Sequence, residues 1–351
     1  MNIKKIAQLA GVSVSTVSKI INDYPEISED TKERVRKIMA ETGYIPSNSA
    51  KTLATKTSHL IGVIFAGKLN IDMTHPFFIE VVNAFKKQMG ILGYDLLFFS
   101  NEKFQGRGDY PARCRHFHVD GCILLSGEEL EPAIRELDES EIPCVGVDLT
   151  LTGPNSAHIN SDNFVMAELV ANHLAGLGYR EFGYLGSTET SEMSRDRETG
   201  FRQALAKRGF AVREDWFIHA GSFYEEAGYA AIRRLLDSGG PLPRAVWAAS
   251  DELAFGAHRA LGESGLRIPE DIALVGCDDI EASRYIRPAL TTIRQDKETI
   301  GKLAALLLFD LINRQGGMPA VQVKPELIVR QSCGAASRPD RRPSLPLSRR
   351  P

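Results

Sequence analysis

The sequence predicts an all-α helix-turn-helix head followed by a larger α/β body of two doubly wound parallel-sheet subdomains, and three observations carry that prediction. The first is a change of rhythm. Residues 2–43 show only helical apolar spacing, whereas from Leu60 onward short apolar runs alternate with amphipathic stretches. The second is length, since 351 residues exceed one ordinary domain and leave about 270 for the body, room for two sheets. The third is charge: residues 1–60 carry nine Lys and Arg against six Asp and Glu, and residues 334–351 carry five Arg against one Asp. The net charge of -3 therefore conceals an acidic body between basic ends, and a polyanion is expected to bind at the head.

In the head, Ile3, Ile6, Ala7 and Ala10, then Val14, Val17 and Ile21, then Val35, Ile38 and Met39 mark three short helices. Asn2, Ser13 and Ser28 stand at their N-caps, Glu29 and Asp30 suit the first turn of the third, and Gly43 ends it. The head spans 1–45 and a linker 46–58 follows. Its Ser47 to Thr55 stretch has room for about two helical turns, but Ser, Asn and Thr compete with the helical backbone, so alone in water it is expected to stay unfolded. Leu53, an apolar side chain with no core of its own to enter, reads as a wedge.

The body, 59–333, alternates strand and helix from Leu60 to Ile312, which implies parallel sheets covered by helices on both faces. It divides into one subdomain of 59–160 with 292–322 and another of 161–291 with 323–333. The tail, 334–351, is Pro- and Arg-rich and nearly free of apolar residues, and is expected to be disordered. Leu345 and Leu347 alone cannot supply a tetramerising heptad.

Composition and motif content exclude several classes. No apolar run approaches the ~20 residues of a bilayer span, so no membrane partner is expected. No apolar core follows the basic Met1 to Lys5 start, which predicts a cytoplasmic chain, and the scattered Cys114, Cys122, Cys144, Cys277 and Cys333 are expected as reduced, buried thiols. Cys114, His116, His118 and Cys122 have metal-ligand chemistry in no standard zinc spacing. Gly-rich phosphate loops and nucleophile elbows are missing too. The sequence thus predicts no metal, no cofactor and no catalysis.

Two constellations carry chemistry. Ile6 to Asn22 reads as a helix, a Gly-containing turn and a second helix, the geometry that lays a recognition helix in the DNA major groove. With Val17 and Ile20 or Ile21 turned to the core, Val14, Ser15, Ser18, Lys19 and Asn22 face outward; short hydroxyls suit phosphate contact and Lys19 can reach guanine O6 or N7. In the body, Asp148 follows Cys144 to Val147, Ser250 and Asp251 follow Ala245 to Ala249, and Asp278 and Asp279 follow Leu274 to Cys277. These are the strand ends at which open α/β sheets place ligands. Carboxylates and a guanidinium that bond hydroxyls, with flat rings over the apolar faces, make a sugar site.

The motifs Ala10-Gly11-Val12-Ser13 with Thr16-Val17-Ser18, Gly43-Tyr44-Ile45-Pro46 and Leu60-Ile61-Gly62-Val63 resemble those of the lactose-repressor/galactose-repressor (LacI/GalR) family, and the likeness runs from Asn2 to about Cys333. The body is also similar to ribose-type periplasmic sugar-binding proteins. The resemblance implies a homodimeric transcription regulator, in the first instance a repressor, on a pseudo-palindromic double-stranded DNA operator, controlled by a small effector such as a sugar or sugar derivative. It implies base reading by Val14, Ser15 and Lys19, phosphate contacts from Asn2, Ser13, Thr16, Ser18, Asn22, Ser28 and Thr31, and DNA contact by Ala50 and Leu53 of the linker, Leu53 as a minor-groove wedge. It also places Phe77, Phe78, Asp148, Arg197, Phe223, Ser250, Asp278 and Gln295 around a ligand cleft, with Arg197 as the clamp.

Three positions depart from the family pattern. Lys5 replaces a commonly acidic residue, and His75 and Ser250 stand where asparagine is common, which puts the hydroxyl pattern recognised in question. The residues leave open a nucleobase or phosphoprotein corepressor, a sugar-binding module of the same body fold with no regulatory role, and an α/β enzyme with an appended head.

Overall fold

The computed structural model describes residues 1–21, 24–45, 57–65, 73–100, 109–126, 131–187, 192–314 and 320–335. Asn22, Ala50 and Leu53, the linker from 46 to 56 and the tail from 336 onward lie outside the described residues.

The head is three helices, α1 (Ile3–Ala10), α2 (Val14–Ile21) and α3 (Glu29–Thr42). Their ends have chemical causes. The Asn2 side chain accepts from the Lys5 N–H and Ser13 Oγ accepts from the Thr16 N–H, each at 3.0 Å. Gly11 and Gly43 stop α1 and α3 at φ 66° and 62°, a left-handed backbone that a residue without Cβ takes freely. Ser28 occupies the third N-cap position, but its hydroxyl pairs with that of Thr31 at 2.9 Å and not with a backbone N–H. Ile6, Ala7, Ala10, Val17, Ile20 and Val35 form one core that no helix could bury alone.

Twelve described strands build the body: β1 (Leu60–Phe65), β2 (Asp95–Phe98), β3 (Gly121–Leu125), β4 (Cys144–Val147), β5 (Ser156–Ser161), β6 (Phe182–Gly186), β7 (Phe217–His219), β8 (Ala245–Ala248), β9 (Ala273–Asp278), β10 (Thr291–Arg294), β11 (Ala320–Val323) and β12 (Glu326–Ile328). The helices between them are α4 (Pro76–Ile91), α5 (Tyr110–Phe117), α6 (Pro132–Asp138), α7 (Asn163–Gly176), α8 (Glu192–Ala206), α9 (Glu225–Asp237), α10 (Asp251–Glu263) and α11 (Lys297–Ile312). The strands form two sheets of six, in the orders β11-β5-β4-β3-β1-β2 and β12-β10-β9-β8-β6-β7. Every pairing is parallel except β10 with β12. Strands β3, β4, β6, β8 and β9 are buried along their whole length, which is why they read as continuous apolar runs and not as alternation.

The two sheets define two lobes. In the first, Val63 points into a core with Phe77, Phe85 and Leu308, while its neighbour Ile64 points to the other face with Tyr110, Cys114 and Ile134. In the second, Tyr184, Phe201 and Trp247 are the largest fully buried side chains of a single extended cluster. The chain crosses between lobes three times: after Ser161, after Arg294, and between Val323 and Glu326. Thr291 to Arg294 pairs in the second sheet and Val323 in the first, so the expected boundaries at 292 and 323 move on to between Arg294 and Lys297 and to after Val323, because strand pairing decides which lobe a segment joins; α11 packs on α4 and the first sheet. All five cysteines are buried free thiols, and among the described residues no helix is long and apolar enough to cross a membrane.

Candidate functional site

At the carboxyl ends of the parallel strands, between the lobes, lies a small cleft. His75, Phe77, Phe78 and Asp148 line it from the first lobe; Met193, Arg197, Phe223, Ser250 and Asp278 line it from the second; Gln295 lies in the middle crossing. All eight residues expected around a ligand cleft therefore gather here, joined by His75 and Met193.

Each is placed by local structure. Pro76 opens α4 and sets Phe77 and Phe78 in its first turn, their rings edge to face with centroids 5.0 Å apart. His75 stands 5.4 Å from the Phe78 ring and 5.4 Å from the ring of Tyr224, which enters from the second lobe. Asp148 follows β4 at φ 50°, and Asp278 ends β9 at φ 116°, a backbone region that side-chain-bearing residues rarely adopt. Such strain persists where surrounding structure enforces it, and it collects at functional sites.

Arg197 lies in α8 and is 3% exposed. Its Nε donates to Asn163 Oδ1 at 2.8 Å and its Nη1 to the Ala249 carbonyl at 2.6 Å. Ser250 contributes less than its position promised: its hydroxyl donates to the Phe223 carbonyl at 2.9 Å and accepts the Leu253 N–H at 3.1 Å as the N-cap of α10. That hydroxyl is consumed by the fold. Gln295 Nε2 donates to Asp278 Oδ1 at 2.7 Å, while Gln295 Oε1 and Asp148 Oδ1 are buried without a partner among the described residues. Unpartnered buried acceptors at a cleft wall suit a ligand that brings donors.

Burial pushes the Asp148 carboxyl up to about 7; Arg197 pulls it down and Asp278 adds repulsion. Burial likewise raises Asp278 against the opposing pull of Arg197. The other two acids of the strand ends are structural. Asp251 accepts from the Ile280 N–H and the hydroxyls of Ser283 and Thr292 at 2.9, 2.6 and 2.5 Å, and burial with repulsion from Asp278 takes it to about 8. Burial pushes Asp279 upward as well, but ion pairs with Arg330 and Arg294 outweigh it and hold this carboxylate below the ordinary range. Thr150, which follows β4 in the first lobe, donates to Glu192 Oε1 on α8 of the second at 3.0 Å, joining the lobes.

Sequence reasoning missed Met193, Asn163, Thr150 and Glu192. The orienting bond from Asn163 spans 34 residues, and no local periodicity announces it.

In the head, Val14, Ser15 and Lys19 are exposed on α2, Thr16 and Ser18 half-buried, and Val17 and Ile20 buried. Asn2, Ser13 and Ser28 are exposed and Thr31 half-buried. Ser13 Oγ lies 2.7 Å from Ser15 Oγ and 2.8 Å from Thr16 Oγ1, a hydroxyl cluster at the positive end of a helix, where phosphate is favoured. Lys19 Nζ is held 2.7 Å from Glu26 Oε2, both exposed. Among the described residues no group of three or more His, Cys, Asp or Glu could hold a metal ion.

With this geometry in view, residues 2–47 match the family described as bacterial regulatory proteins, lacI family, and residues 171–333 match a periplasmic binding protein-like domain. The HTH-type transcriptional repressor PurR of Pasteurella multocida (strain Pm70) is 32% identical over 339 residues, which cover 94% of this chain and 98% of that protein. Among solved structures, the lac repressor dimer bound to operator and the anti-inducer ONPF aligns with a TM-score of 0.82 at 28% identity, covering 95% of this chain and 99% of the other. A complex of the transcriptional regulator CelR with cellobiose aligns with a TM-score of 0.71 at 29% identity and the same coverage.

Proposed function

The chain belongs to the lacI family of bacterial regulatory proteins and is a DNA-binding transcriptional repressor, and from that premise we propose that its effector is a polar ring of monosaccharide size, a sugar or sugar derivative. The observation that carries this reading is that the buried Arg197 shares with the carboxyls of Asp148 and Asp278, on both of which its charge acts, a cleft walled by Phe77, Phe78 and Phe223. Vicinal hydroxyls donate to the carboxylates and accept from the guanidinium, and the phenylalanine rings cover the apolar face of the ring. Asp148 Oδ1 and Gln295 Oε1 are the acceptors such hydroxyls complete.

DNA contact falls to Asn2, Ser13, Val14, Ser15, Thr16, Ser18, Lys19, Asn22, Ser28, Thr31, Ala50 and Leu53, with two copies of the chain on a pseudo-palindromic operator in the cytoplasm. Effector and operator then oppose or assist each other through the lobe arrangement, and the coupling is reciprocal.

A nucleobase is the second reading. Three phenylalanines around a small cleft suit a flat aromatic ring, and a carboxyl titrating near neutrality can either donate to or accept from a lactam edge. Isothermal titration of the full-length protein with D-ribose, D-glucose, cellobiose, hypoxanthine and guanine separates the two. Heat from a sugar alone supports the first reading; heat from a purine alone replaces it with the second.

A further inference from the structure

We propose that Lys297 is a positioning residue that staples the pivot between the two lobes to the turn that aims Asp278 into the cleft. Lys297 is the first residue of α11, at the middle crossing of the chain, and its side chain is 8% exposed. Its ammonium donates to the backbone carbonyls of Asp278 at 2.7 Å and Asp279 at 3.2 Å, and stands 3.5 Å from Glu80 Oε2 on α4. An ammonium has three donors and no acceptor, so two carbonyls and one carboxylate complete it, and removal of any of them leaves a buried charge poorly satisfied.

The partners lie on different bodies. Helix α11 and Glu80 on α4 belong to the first lobe, whereas Asp278 and Asp279 end β9 in the second. Both aspartates have left-handed backbones, at φ 116° and 49°. A turn of this kind does not hold itself, and Lys297 bonds the carbonyls of both its residues. Asp278 presents its carboxyl to the cleft from that turn, whereas Lys297 does not line the cleft at all. Rotation of the lobes displaces α11 against β9, so it either stretches the two lysine bonds or drags the turn with it. Hinge motions concentrate in a few residues at element ends, which is where Lys297 sits. The other two crossings are tied to each other, the Asp162 N–H donating to the Val323 carbonyl at 3.1 Å. Lys297 thereby links the direction of Asp278 to the angle between lobes whatever molecule fills the cleft.

The test uses the full-length protein without any small molecule and measures the spread of lobe separations by double electron–electron resonance. Spin labels go on cysteines introduced at Glu136 in α6 and Asp237 in α9, both exposed, the native thiols being buried. Label is kept sparse, so that doubly labelled chains pair with unlabelled ones. The wild-type protein is expected to give one narrow distribution, Lys297→Arg the same, and Lys297→Met, which keeps length but loses every donor, a distribution at least twice as wide. An unchanged width in folded Lys297→Met overturns the proposal, as does a wild-type distribution that is already broad, or an Arg variant as broad as Met. If Lys297→Met does not fold, Lys297→Gln, too short to reach both carbonyls, must broaden the distribution, and an unchanged width there is equally fatal. Effector titrations do not enter, so the failure of a sugar or purine to bind leaves this outcome untouched.

Discussion

Replacing Asp148 by asparagine should make the effector-free protein more stable at alkaline pH and much less so in acid. Asp148 is 6% exposed, and its carboxyl is raised from 3.8 to about 7 in the folded chain. In the unfolded chain it titrates as an ordinary aspartate. Below the unfolded value both states are protonated and the group costs nothing. Between that value and about 7 only the unfolded chain has lost the proton, so folding must take one up and stability falls as pH rises. Above about 7 the folded chain carries a buried carboxylate and the loss is complete.

At roughly 1.4 kcal/mol per pH unit the ceiling is about 4 kcal/mol, and the portion accumulated between about pH 5 and pH 8 is roughly 2 to 3 kcal/mol. Asparagine matches the neutral carboxyl in shape and never ionises. Urea unfolding of the wild type and Asp148→Asn at several pH values and constant ionic strength isolates the effect, because other titrating groups cancel in the difference. The stability advantage of the variant should grow by that amount from acid to alkaline buffer. Parallel pH curves for the two proteins would show that Asp148 is not a strained, desolvated acid, and the electrostatic account of the cleft would fall with it.

Three further outcomes are expected. Lys19→Ala should weaken operator binding about ten- to hundredfold and relax preference at one base pair per half-site; equal loss on every base variant, read by fluorescence anisotropy, would make Lys19 a phosphate contact. Asn163→Ala should cost about 1 to 3 kcal/mol in urea unfolding by removing the acceptor of the buried Arg197 Nε, and should weaken any effector that binds; a stability equal to wild type would show that Arg197 is held without it. Gly256→Ala should cost about 1 to 3 kcal/mol or more, since a Cβ there would lie 2.0 Å from the Glu225 carbonyl and 2.4 Å from the Tyr229 nitrogen; a melting temperature within about 1 °C of wild type would mean that α9 and α10 can separate without cost.

The head was legible because its determinants are local. Caps, a glycine at each left-handed stop and a helical apolar repeat all fall within a few residues of the backbone they govern, and Asn2, Ser13, Gly11 and Gly43 act as their chemistry dictates. The two sheets were legible for a related reason, since buried parallel strands are continuous apolar runs and their alternation with helices permits few topologies. Strand ends are where open sheets place ligands, and that reading reached Asp148, Ser250 and Asp278 of the cleft; Phe77, Phe78, Arg197, Phe223 and Gln295 followed from the resemblance to the family, and all eight converge. What each of them does was less accessible. Ser250 and Asp251 occupy equivalent strand-end positions to Asp148, yet their polar atoms are bonded within the protein. Lys19 points outward as its helix position requires, but its pairing with Glu26, seven residues on and past the end of α2, follows from the return of the chain toward α3.

Local patterns along the chain dictate which elements form, that a cationic head precedes a two-lobed acidic body, and which kinds of side chain stand at the strand ends. The tertiary structure decided which of those acids stay open to a ligand, which are neutralised by Arg294 and Arg330, where Arg197 finds Asn163 and the Ala249 carbonyl, and that Lys297 reaches from one lobe to the other. The difference is one of range. Apolar periodicity and capping act between neighbours along the chain, whereas the bonds that orient the cleft join residues 17 to 52 positions apart, and their lengths exist only once the two sheets and the crossings between them are in place.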